Sequence, residues 1–272
     1  MNPSIRSILH PTDFSSRSYE AYAHALRLAL ATKSKFYILH ALESEVGERL
    51  EPPQARLRRL LVQWGVLNQM NSITVNEQKL GLEIENFTFR QGYTPAEEIV
   101  HFLNHHACDL VMLATHHEGD GLHRLLKNSV PETVLRRSRT PTLFLTHGGR
   151  GFVDQVTGRM KLRHVLVPID HSPLPFRAVE TANEFPRLMI GVAPTVQLLH
   201  VGSKAPQIGP NPVTIRYGNV VQTIVDAAVE YDVDLICMPT AGHHGVLDAL
   251  RGSTTERVLR QAPRPLLAIS TM

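Results

Sequence analysis

Ser7-Ile-Leu-His-Pro-Thr-Asp13 returns later in the chain as His164-Val-Leu-Val-Pro-Ile-Asp170. Each stretch is a short apolar run that ends in Pro, one residue, then Asp. A helical pattern follows: in the first half Ala21, Ala25, Leu26, Leu28 and Ala29 share one apolar face. Strands that are apolar throughout, rather than alternating, belong to parallel sheets buried on both faces. The paired stretches therefore predict two α/β units.

The correspondence continues in the same order. Phe36-Tyr-Ile-Leu-His-Ala41 matches Val196-Gln-Leu-Leu-His-Val201, and Phe87-Thr-Phe-Arg-Gln-Gly92 matches Val213-Thr-Ile-Arg-Tyr-Gly218. Asp109–Thr115 matches Asp234–Thr240, and Asn128–Arg137 matches Gly252–Gln261. Pro141-Thr-Leu-Phe-Leu145 finally matches Pro265-Leu-Leu-Ala-Ile269. A unit of this size, present twice, is a duplicated domain rather than a solenoid repeat. The chain of 272 residues is comfortable for two domains, and 43% hydrophobic content gives each a core. The expected division is 1–146, a linker over 147–163, and 164–272.

The copies differ. Leu57, Leu60, Leu61, Trp64 and Leu67 predict a helix after the second strand of copy 1. The matching place in copy 2 holds Gly202-Ser-Lys-Ala-Pro-Gln-Ile-Gly-Pro-Asn-Pro212, whose Pro and Gly density breaks helices. Copy 2 is thus expected to lack its second helix, its sheet being covered by the long helix of copy 1 or by a second chain. Gly148, Gly149, Gly151 and Gly158 predict a turn-rich, flexible linker.

Composition narrows the function classes. A net charge of +3 with scattered basic residues argues against nucleic-acid binding. No apolar stretch approaches the ~20 residues of a membrane span. Cys108 and Cys237 each sit in an apolar run and read as small buried hydrophobes in a reducing, cytoplasmic setting. Gly-x-Ser-x-Gly, Walker and HExxH signatures do not occur; at most slow ATP hydrolysis is expected.

The most informative stretch is Met238-Pro-Thr-Ala-Gly242-His-His-Gly-Val-Leu-Asp-Ala-Leu-Arg-Gly252-Ser253. A Gly-Ser pair stands at a helix start, after a loop that follows a buried strand. Glycines let backbone approach a ligand, and free N–H groups with the helix dipole favour an anion. The alternative is that Gly242 and Gly252 serve turn geometry only.

Here the sequence resembles the universal stress protein family. That family's loop reads Gly, two residues, Gly, nine residues, Gly, then Ser or Thr; Pro239, Gly242, Gly252 and Ser253 stand at those places. Arg260, Pro263 and Pro265 fit the family's ending before its last strand. The resemblance covers nearly the whole chain, twice. It implies two Rossmann-like domains (adenine nucleotide alpha hydrolase-like), each a five-stranded parallel sheet with helices on both faces. It also implies an adenine nucleotide, ATP or a relative, bound between Asp170, Val201, Gly242, Gly252, Ser253 and Thr254. Pro239, where the family has Gly, removes one N–H. In copy 1 Asp13 and Ser129 match, but Ala114, His117 and Asn128 replace glycines and Asp120 would repel phosphate; the first site reads as degenerate. The resemblance further implies assembly through the last strand of each domain, made within one chain here, with a homodimer of the tandem chain as a further candidate.

Other readings compete. Asp13 and Asp170 suit helix N-caps. Glu132 and Glu256 suit the dipole of helix first turns, and His40 and His200 suit satisfied positions at the core edge. His116, His117, His243 and His244 pair in matching loops and are candidate transition-metal ligands. An interaction protein of the same fold that binds no nucleotide is the alternative function.

Overall fold

The computed structural model describes residues 4–15, 18–40, 53–67, 80–90, 92–115, 129–146, 148–240 and 253–271. Copy 1 comprises β1 (Ser7–Thr12), α1 (Tyr19–Thr32), β2 (Lys35–His40), α2 (Pro53–Gln63), β3 (Glu83–Thr88), α3 (Pro95–His105), β4 (Leu110–Thr115), α4 (Val130–Arg137) and β5 (Thr142–Thr146). Copy 2 comprises β6 (His164–Pro168), α5 (Phe176–Ile190), β7 (Thr195–Val201), β8 (Val213–Arg216), α6 (Val220–Glu230), β9 (Leu235–Thr240), α7 (Thr254–Leu259) and β10 (Leu266–Ser270).

Within each copy the strands run parallel in the order third, second, first, fourth, fifth. The central strands β1 and β9 are buried at every position, the polar Ser7, His10 and Thr12 of β1 included, whereas the edge strand β3 has no fully buried residue. An aspartate fixes the start of each sheet. Asp109 accepts the backbone amides of Arg6 and Ser7 at 2.8 and 3.0 Å, and Asp234 accepts those of Arg163 and His164 at the same distances.

The two sheets are one. β5 and β10 pair antiparallel, Phe144 opposite Leu266 and Leu143 opposite Leu267, giving ten continuous strands. The core layers run through the join. Leu143, Leu145, Leu267 and Ile269 lie in the layer beneath α1, α2 and α5; Phe144, Leu266 and Ala268 lie in the opposite layer with α3, α4, α6 and α7. Two ion pairs related by the pseudo-twofold flank the join. Arg136 donates to both carboxylate oxygens of Glu256 at 2.5 and 3.0 Å, and Arg260 donates to Glu132 at 2.6 Å. Glu132 and Glu256 therefore do more than complement a helix dipole: each receives an arginine from the other copy.

The linker is an ordered strap, not a flexible tether. Phe152, Val153 and Leu162 are buried in it, and Val153 bridges Met160. Its glycines serve close packing. A Cβ on Gly151 would stand 2.5 Å from His24 Cε1, and one on Gly158 (φ +67°) would stand 2.7 Å from Trp64 Cγ. Trp64 lies just past the end of α2 and donates from Nε1 to the Gln155 carbonyl at 2.9 Å; Arg27 donates to that of Gly158 at 2.7 Å.

Residues 202–212 contain no helix. Ile208 from this segment enters the layer to which α2 contributes Leu57, Leu60 and Leu61 in copy 1, so the segment itself supplies cover that was expected from copy 1 or a second chain. Both cysteines are free, and burial pushes the Cys108 thiol up to about 12. Among the described residues, no helix is long and apolar enough to cross a membrane.

His24 clasps the strap. Its Nδ1–H donates to the Glu20 carbonyl at 2.9 Å, which leaves Nε2 to accept the Phe152 and Val153 amides at 3.1 and 2.9 Å. Only the neutral ring can do this. Burial pushes His24 down to about 4 from 6.5, and His10 likewise. With folded values below unfolded ones, the unfolded chain takes up protons first as pH falls. Stability is full above pH ~6.5 and declines, by on the order of 3 kcal/mol per histidine, down to pH ~4. Urea midpoints measured against pH should show this slope. In His24→Phe the slope should shrink, and stability at pH 8 should fall by about 2–6 kcal/mol, at about 1–3 for each of the two amides left unpaired.

Candidate functional site

In an open sheet of this strand order, ligands bind beyond the carboxyl ends of the strands where the connectivity reverses. For copy 2 that point lies between β6 and β9. A cavity of about 330 Å³ opens there, at the small end of small-molecule sites. The end of β6 contributes Pro168 to Asp170, β7 contributes Leu199 and Val201, and β9 contributes Met238 to Thr240. Val220 and Ile224 of α6 form a wall, and Ser253, Thr254 and Thr255 close the floor at the start of α7.

The cavity thus joins apolar walls suited to a flat ring with a cluster of hydroxyls, Ser172, Thr240, Ser253, Thr254 and Thr255, and one carboxylate, Asp170. Asp170 is 66% exposed; its Oδ1 accepts the His171 amide at 2.7 Å and stands 3.9 Å from His200 Nδ1. His200 is buried and bonds the Ile169 carbonyl at 3.1 Å, the satisfied core-edge role expected of it.

Neither aspartate caps a helix. The N-cap of α5 is Pro175, with no side-chain bond, and that of α1 is Ser18, also without one. Asp13 instead accepts the Ser15 amide and hydroxyl at 3.0 and 2.7 Å. Partial burial tends to raise its carboxyl, and these Ser15 bonds outweigh it, so the group is held below its ordinary value.

Ser253 does cap. Its Oγ accepts the Glu256 amide at 3.2 Å, and Glu256 accepts the Ser253 amide at 3.1 Å, a complete capping box. The Ser253 amide is therefore already engaged, while Ser253 and Thr254 both line the cavity. Ser129 repeats only half the box, its Oγ accepting the Glu132 amide at 3.4 Å.

The structure brings together Asp170, Val201, Ser253 and Thr254. Gly242, Gly252, His243 and His244, and in copy 1 His116 and His117, lie outside the described residues. Sequence reasoning missed the wall residues Leu199, Val220 and Ile224. It also missed the partners of the two glutamates, although Glu-x-x-x-Arg at 132–136 and again at 256–260 was the available signal.

Two copies of a 3-2-1-4-5 parallel sheet, with a ligand-sized cavity at the switch point of copy 2, define a tandem Rossmann-like protein. The profile of the universal stress protein family matches residues 4–145 and 203–270. A universal stress protein of Methanocaldococcus jannaschii is 29% identical over 140 residues, 51% of this chain and 80% of that one. In fold the chain is similar to a universal stress protein of Archaeoglobus fulgidus, with a TM-score of 0.64 at 20% identity, over 97% of this chain and 96% of that one. A functionally unknown protein of Pseudomonas aeruginosa gives the same TM-score at 16% identity, over 98% and 93%. The chain belongs to the universal stress protein family, with two copies of its domain in tandem.

Capping and ligand roles separate by mutation. Ser253→Ala should cost about 0.5–2 kcal/mol, the value of a lost N-cap. Asp170→Ala should stay within about 0.5 kcal/mol of wild type, because an exposed carboxylate without a capping role contributes little. Chemical denaturation of both variants checks this; a comparable loss at Asp170 would restore a structural role to it.

Proposed function

We propose that the chain is a stress-response regulator that binds one adenine nucleotide, ATP or a relative, in copy 2. The observation that carries this is the cavity of about 330 Å³ at the β6–β9 switch point, where Asp170, Val201, Ser253 and Thr254 meet. The apolar walls suit the base, Asp170 at the mouth suits a donor on the base or ribose, and the hydroxyls of Ser253 and Thr254 suit ribose or phosphate oxygens. Gly242 and Gly252 complete the reading by the family's loop pattern. The two free cysteines suit a reducing compartment, so the cytoplasm is the proposed location.

A second reading, an interaction protein of the same fold without nucleotide, is favoured by two observations. The Ser253 amide is engaged by Glu256, and Pro239 at the cavity has no amide hydrogen to offer.

Denaturing the purified protein and weighing what is released decides between them. Release of an adenine nucleotide, and a rise in melting temperature with millimolar ATP, are the expected results. Val220→Trp, which fills the cavity from the half-exposed start of α6, should abolish both while leaving the unliganded melting temperature within a few degrees. Absence of ligand in the extract together with no ATP shift in wild type would leave the interaction reading standing.

A further inference from the structure

Ser253 lines the cavity of copy 2, and its Oγ accepts the amide of a residue that carries a carboxylate, Glu256. Glu256 is 1% exposed and accepts the Ser253 amide at 3.1 Å. Left uncompensated, a buried negative charge so close to the cavity floor would oppose any anion there, since charges separated by low-dielectric protein interact far more strongly than in water. It is not uncompensated. Arg136 reaches across from copy 1 and clamps both oxygens of Glu256 at 2.5 and 3.0 Å. The paired geometry fixes the carboxylate as well as neutralising it.

The geometry points to Arg136 as a positioning residue for the phosphate of the ligand in copy 2: copy 1 sets, through Glu256, the charge and the aim of Ser253 in the other copy's site. The inference rests on the nucleotide reading above and adds that the site is complete only across the two copies. Arg136 does not line the cavity; it acts through Glu256. The mirror-related bridge, Arg260 to Glu132, supports the same junction from the other side but ends at Ser129 in copy 1. It is therefore an internal control for mere structural support.

Calorimetric titration with ATP and with adenosine tests this in the full chain. Arg136→Met should weaken ATP binding about tenfold or more, the size typical of coupling between linked sites, while adenosine affinity stays within about twofold. Arg260→Met, which removes an equivalent bridge, should leave ATP affinity within about threefold. Adding Glu256→Gln to Arg136→Met should restore ATP binding to within about threefold, because Gln keeps the capping box and removes the charge. Should Arg136→Met fail to fold, Glu256→Gln alone reads the same charge, and ATP affinity no lower than wild type is expected. Equal losses in Arg136→Met and Arg260→Met, equal losses for ATP and adenosine, no rescue by Glu256→Gln, or a weakened Glu256→Gln single variant would each overturn the inference. A wild-type protein that binds adenosine but gains nothing from phosphates overturns it while sparing the cavity. A wild-type protein that binds neither overturns the function reading and this inference together.

Discussion

The antiparallel pairing of β5 with β10 is the constraint on which the molecule depends. Parallel strands need long crossovers, so a five-stranded parallel sheet ends in an edge whose amides and carbonyls are unpaired. Each copy's fifth strand is such an edge, and both are apolar on both faces. Pairing them satisfies the backbone groups and buries Phe144 against the layer of Leu266 and Ala268. The reciprocal bridges of Arg136 with Glu256 and Arg260 with Glu132 then lock the relative position of the helices that flank the join. Removing one partner of a buried ion pair of this kind costs about 3–5 kcal/mol, because the remaining charge stays in the interior. That asymmetry makes the bridges better at excluding a wrong alignment than at adding net stability.

Duplication has freed the copies to diverge. Copy 1 keeps α2 and gives up the glycines of its loop; copy 2 gives up that helix and keeps Gly242, Gly252 and Ser253 in the family's spacing. The strap joins the division. It rests on α1 and on Trp64 of copy 1, using His24 as a neutral acceptor for two amides, and feeds straight into β6. Its Arg150 and Lys161 meet Asp232 at the end of α6. The strap thus ties copy 1 to copy 2 at a second place besides the β5–β10 join.

Much of this was legible in the sequence, for a definite reason. Apolar runs ending in Pro-x-Asp, and the loss of helical spacing over 202–212, are local patterns, and local patterns determine strands and helices. Asp170, Val201, Ser253 and Thr254, the positions to which the family resemblance pointed, line one cavity, because strand ends and helix starts are where a parallel sheet presents its groups. What escaped were relations between distant residues. Four glycines read as flexibility, yet Gly151 and Gly158 are there because His24 and Trp64 approach too closely for a side chain. Capping was one of two readings of Asp13 and Asp170, yet the helices begin several residues later, at Tyr19 and Phe176. Glu132 and Glu256 read as dipole partners because the arginines they meet lie more than a hundred residues away.

The capping box at Ser253 shows why fold and site cannot be assigned to separate residues. A helix as short as α7 has little intrinsic tendency to form and needs its first amides satisfied. Ser253 and Glu256 satisfy two of them reciprocally. An anion presented to the same helix start would compete for the Ser253 amide, which Glu256 already holds. The outcome turns on how firmly Glu256 is held. A carboxylate clamped by two nitrogens of a guanidinium is neither free to swing away nor a net charge beside the cavity. On the reading proposed above, the same clamp that aligns the two copies also sets how hospitable the cavity floor is to phosphate, and the interface between the domains belongs to the site.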